Sequence, residues 1–147
     1  MELKVKQLES LLQKTTVFFE NTKREILEEK ISAEKWSKKE ILGHLIDSAI
    51  NNIQRFTEIQ YNEKPYKIRQ YNPDELVKAN NYQEKDIDEL FQLWLQLNKQ
   101  IVFIIKNQTP VTLEYPILLP DNEVKNLQFL MTDYVDHLEH HLNQILL

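Results

Sequence analysis

The sequence contains no cysteine. That excludes disulfides, thiolate metal ligands and a cysteine nucleophile, and it fits a reducing cytoplasm. One glycine and five prolines are spread over 147 residues. Few positions therefore suit tight turns, so short hairpins are disfavoured and long helices favoured. No apolar run is long enough to span a bilayer, and the opening Met1-Glu-Leu-Lys-Val-Lys6 is no signal peptide. A soluble, cytoplasmic chain without membrane contact is the expectation. The formal charge of −5 argues against nucleic acid as a partner, because such binding needs clustered cations. Lys23, Arg24, Lys38 and Lys39 are instead interleaved with glutamates, the pattern of a solvated helix surface.

What the chain does have is helical periodicity. Its length suits one domain spanning residues 1–147 with a real core. The first helix is expected from about residue 2 into the upper twenties, burying Val5, Leu8, Leu11, Leu12, Phe19 and Ile26. The second opens at Ser37-Lys-Lys-Glu40, a capping box, with Trp36 and Ile41 placed to form a hydrophobic staple. It runs to about residue 60. Residues 61–82 carry two prolines and little helical periodicity, so this long connection is expected to cross the bundle or cover a site. The third helix spans about 84–106, with Ile87, Leu90, Trp94, Leu97, Ile101 and Ile104 facing inward. Val111 to Tyr115 is β-prone but has no evident sheet to join. The fourth helix starts near Val124 and buries Leu127, Met131, Tyr134, Leu138, Leu142 and Ile145. The fold class is all-α, a four-helix bundle.

The chemistry sits in the histidines. There are four in the chain. His137 and His141 lie one helical turn apart, on one flank of the fourth helix's apolar stripe. His140 turns further toward solvent, although a 137/140 pair is sterically open. His44 lies in the second helix, on a face shared with Glu40, Asp47, Ser48, Asn51 and Arg55. Two histidines from one helix and one from a neighbour can hold a divalent metal and leave coordination positions for water or substrate. Plainer readings exist for each residue. A histidine pair near a helix C-terminus complements the helix dipole, and Glu40 is accounted for by its capping box. Asp47 can orient a ligand or sit in solvent, and Arg55 can hold an anionic group or a surface ion pair. The single glycine, Gly43, costs about 1 kcal/mol inside a helix relative to alanine, so something must approach the backbone there.

Lys35-Trp-Ser-Lys-Lys-Glu-Ile-Leu-Gly-His44 onward to Phe56, and His137-Leu-Glu-His-His141-Leu-Asn-Gln-Ile145, resemble the two signature blocks of the DinB-like family of four-helix metalloproteins. The resemblance covers essentially the whole chain. It implies metal ligands at His44, His137 and His141, with zinc or nickel as the divalent ion. It also implies up-down-down-up topology, with the 61–82 connection joining two parallel helices, and a homodimer. Relatives suggest a thiol-dependent S-transferase or isomerase using a low-molecular-weight thiol such as bacillithiol or mycothiol on a small-molecule substrate. A metal-dependent hydrolase and a catalytically silent binding or stress-response module are the alternatives. Asp47, Asn51 and Arg55 are the candidate cofactor-binding residues, and no catalytic residue is assigned.

Overall fold

The computed structural model describes residues 1–147. Four long helices carry the architecture: α1 (Glu2–Glu20), then, after a short α2 (Arg24–Glu28), α3 (Lys38–Glu58), and further on α5 (Ile87–Lys106) and α7 (Leu127–Leu146). Between them lie β1 (Tyr66–Lys67), α4 (Pro73–Asn80), a 3₁₀ turn at Tyr82–Glu84, α6 (Pro110–Leu113), β2 (Pro116–Leu118) and β3 (Val124–Asn126). Side-chain pairs fix the helix directions. Phe19 stacks on Phe91 while Lys106 pairs with Glu9, so α1 and α5 are antiparallel. Lys4 pairs with Asp136 and Gln7 with Glu139, so α1 and α7 are parallel. His44 meets His141 while Phe56 meets Tyr134, so α3 and α7 are antiparallel. The order is therefore up-down-down-up. No helix is long and apolar enough to cross a membrane.

The predicted stripes largely fill the core. All six expected residues of α7 are buried, as are Trp94, Leu90 and Ile101 of α5, while Leu97 is only half-buried. Ser37 accepts from the Glu40 amide and the Glu40 carboxylate accepts from the Ser37 amide, completing the capping box. In the first helix the expected register fails after Phe19. The helix stops at Glu20 and restarts at Arg24, and this break turns Leu27 inward and leaves Ile26 exposed.

Other readings need correction. Lys39 is not on a solvated surface: it is 3% exposed and pairs with Glu28 at 3.1 Å. Lys38 is half-buried, and its ammonium donates to the carbonyls of Gln144 and Ile145, at the end of α7. Residues 61–82 contain a helix after all. Asn72 caps α4 by accepting from the Glu75 amide, Pro73 occupies its first turn, and Asn81 ends it at φ +50°. A short hairpin also forms despite the shortage of glycine. β2 pairs antiparallel with β3 and parallel with β1, giving a three-stranded patch. Asn122 supplies the left-handed residue in the connecting turn at φ +68°, a conformation asparagine tolerates better than other non-glycine residues. Val124–Asn126 thus belongs to a strand, and Val111–Leu113 to the helical turn α6.

Candidate metal centre

The α3–α7 contact brings His44, His137 and His141 together. The rings of His44 and His141 are 4.6 Å apart, those of His137 and His141 4.5 Å, and those of His44 and His137 5.3 Å, all edge-on. One nitrogen from each lies within 4.8 Å of the others. At the usual zinc–nitrogen length, tetrahedral ligand nitrogens stand about 3.4 Å apart, so small side-chain rotations would close the set on an ion. His140 is exposed, with its ring near Gln144 and outside the trio.

The donor chemistry fits a cation. Burial, together with the neighbouring imidazoles, pulls His44 down to about 4; His137 falls to about 4 for the same reasons. Both rings are therefore neutral at physiological pH, the form that offers a lone pair. His44 is 3% exposed, and its Nδ1 is buried without a hydrogen-bond partner. An orphaned buried nitrogen is costly unless something satisfies it. Trp36 covers the ring of His44 at 5.0 Å, so the tryptophan before the cap shields the site as well as contributing apolar surface. His141 Nδ1 lies 2.9 Å from Gln144 Oε1. An amide oxygen only accepts, so Nδ1 carries the proton and Nε2 is left free to ligate. Gln144 was not singled out from the sequence as a functional residue, yet it stands three residues beyond His141 in the C-terminal block.

The DinB superfamily model matches residues 7–145. The chain belongs to the DinB superfamily. A relative from Halalkalibacterium halodurans, BH0277, provisionally named a metal-dependent hydrolase, is 26% identical over 110 residues. That match spans 75% of this chain and 63% of the relative, so the chain covers less than two thirds of that protein. Among solved structures, YfiT from Bacillus subtilis superposes with a TM-score of 0.85 at 22% identity, covering 98% of this chain and 82% of that one. It is described as a probable metal-dependent hydrolase with an unusual four-helix bundle topology. A histidine mutant of mycothiol-dependent maleylpyruvate isomerase superposes at 0.71 and 11% identity, covering 96% and 59%. At these identities both structures establish the DinB-like bundle fold of the chain.

Around this DinB-superfamily centre, the other residues expected on the polar face of α3 separate into two places. Asp47 is buried and accepts from the Tyr82 hydroxyl at 2.5 Å and from the Asn80 amide at 3.0 Å, while its second carboxylate oxygen is buried without a partner. Burial outweighs those two donors and raises its carboxyl above the usual range. Tyr82 also explains Gly43. A Cβ there would stand 2.2 Å from Tyr82 Cδ2, so the close approach is made by a side chain of the crossover. Asn51 and Arg55 lie further along α3 and line a cavity with Arg69, from which Asp47 is absent. Neither Tyr82 nor Arg69 was identified from the sequence. Both lie in the connection expected to cover a site, without helical periodicity to assign them a face.

Proposed function

We propose that the chain is a divalent-metal-dependent enzyme that holds its ion on His44, His137 and His141 and works on a small molecule with the help of a low-molecular-weight thiol. The observation carrying this reading is the convergence of three imidazoles from α3 and α7, two of them held neutral and one with an orphaned nitrogen. Zinc and nickel both suit a nitrogen-rich donor set. When bound, such an ion lowers the pKa of a coordinated thiol or water enough to make a nucleophile near neutral pH.

The chain's own residues hold and shield. Trp36 excludes water from one side of His44. Gln144 fixes the orientation and tautomer of His141. Tyr82 and Asn80 tie the crossover to Asp47, one turn along α3 from His44. Three protein ligands leave the rest of the coordination sphere for reactants. Support for the thiol comes from the fold shared with the mycothiol-dependent isomerase. The names of BH0277 and YfiT favour a second reading, a metal-dependent hydrolase.

Metal content of tag-free protein, measured by inductively coupled plasma mass spectrometry, tests the centre. The parent should carry close to one ion per chain, and His44→Ala and His137→Ala should carry almost none. Equal metal in the variants would defeat the ligand assignment. With the ion in place, turnover of an electrophile only when thiol is added supports the transferase; ester or amide hydrolysis without thiol supports the second reading.

A further inference from the structure

The chain has three arginines. Arg24 is paired with both Asp86 and Asp88. The other two, Arg55 from α3 and Arg69 from the segment after β1, have no carboxylate within ion-pair distance, yet they line one cavity of about 310 Å³ together with Lys67. Arg55 is half-buried. Its guanidinium donates to the Arg69 carbonyl at 2.6 Å and lies over the Tyr71 ring at 5.4 Å. Arg69 reaches the Asn51 side-chain oxygen at 3.5 Å. The cavity's one acidic side chain, Glu58, already accepts from Tyr66 and Gln54. Asp133 of α7 acts on Arg55 from beyond ion-pair range.

Two guanidiniums gathered without an ion-paired carboxylate, with Glu58 and Asp133 acting on them only from beyond ion-pair range, carry an electrostatic cost that a bound anion would reduce. Guanidinium forks match the paired oxygens of a carboxylate or phosphate, and the volume suits one end of a small molecule. Asn51 and Arg55 sit two and three turns beyond His44 on the same flank of α3, about 10 and 16 Å along the helix axis. Asp133 likewise precedes His137 by one turn of α7.

We propose that this cavity is an oxyanion-binding subsite. It holds a carboxylate or phosphate group of the substrate or thiol, so that the reactive atom about 10–16 Å away reaches the three-histidine centre. The anion site stands on its own observations; its relation to the reacting end rests on the metal-enzyme reading.

The test is NMR titration of chelator-treated full-length protein with succinate and, separately, inorganic phosphate at constant ionic strength, following the arginine Nε–H signals. Saturable shifts at Arg55 and Arg69 are expected from at least one anion. Arg69→Gln, a change at an exposed side chain that should leave the fold intact, should weaken binding about tenfold or more, since a charged hydrogen bond is worth about 1.5–3 kcal/mol. Arg24→Gln should bind like the parent. The tighter anion identifies the group recognised. No saturable shift, or equal weakening in Arg69→Gln and Arg24→Gln, overturns the subsite. Repeating the titration on His44→Ala separates the two readings: anion binding that survives there upholds the subsite even if the metal assignment fails.

Discussion

Replacing Gly43 by alanine should destabilise the protein although alanine is the better helix former. In an unencumbered helix the change gains about 1 kcal/mol. Here the new methyl group would lie 2.2 and 2.3 Å from Tyr82 Cδ2 and Cγ and 2.8 Å from its Cβ. The Cβ is tied to the backbone of the 3₁₀ turn, so rotating the ring cannot relieve the contact. The ring is also held at its far end, where its hydroxyl donates to Asp47. Overpacking of this kind costs about 1–3 kcal/mol. Displacing the hydroxyl from a buried carboxylate costs about another 1.5–3 kcal/mol. Against the propensity gain, a net loss of about 1.5–5 kcal/mol follows, or about 5–15 °C in Tm for a chain of this size. Thermal and urea unfolding followed by circular dichroism, on chelator-treated protein, would measure it. The double-mutant cycle with Tyr82→Gly is decisive, because with the ring and its Cβ both gone Gly43→Ala should turn stabilising by about 1 kcal/mol. If Gly43→Ala raises Tm in the parent, or loses the same stability with and without Tyr82, the account of this glycine is wrong.

Other perturbations have definite signs. His44 and His137 are held near 4 in the folded chain and return to about 6.5 on unfolding. Between those values the unfolded chain binds more protons, so metal-free stability should fall as pH drops from 6.5 to 4, by on the order of 3 kcal/mol for the pair after solvent screening. The raised carboxyl of Asp47 works in the opposite sense, so the measurement is the difference in urea midpoints between parent and His44→Leu; identical pH slopes would refute it. Zinc or nickel at about a hundred times its Kd should add about 2.7 kcal/mol, or about 5–10 °C, to the parent and nothing to His44→Ala by calorimetry. Asn98→Leu strips the buried Tyr134 hydroxyl of its 2.7 Å partner and should cost about 1–3 kcal/mol in urea unfolding while leaving metal content unchanged.

Much of this molecule was legible in the sequence because its long helices are amphipathic. The inward stripe of α7 and the flank shared by His137 and His141 follow from a 100° turn per residue, and the capping box at Ser37 from its four-residue motif; that His44 joins the pair is what the family resemblance implied. Reading failed where that periodicity ends. Asn122 builds a turn that the scarcity of glycine argued against, and Asn81 closes a helix in a connection that showed little pattern. Lys39 looked like surface because its neighbours are charged, yet it is buried against Glu28. His44 and Asp47 shared a face that suited a wet pocket or plain solvent. Only the packing of α7 and the crossover on α3 shows that face to be buried. Arg69 gained meaning by meeting Arg55 across a cavity, an encounter that no local spacing encodes.

The histidine trio also has a kinetic meaning. His44 and His137 are about ninety residues apart, so the unfolded chain must close a long loop before a third imidazole can join the helical pair. An ion would thus find a complete set of donors only after α7 had docked on α3. Added during refolding, a coloured metal such as cobalt would take up its coordinated spectrum at that docking step, and the centre would time the meeting of α3 and α7 in the assembly of the bundle.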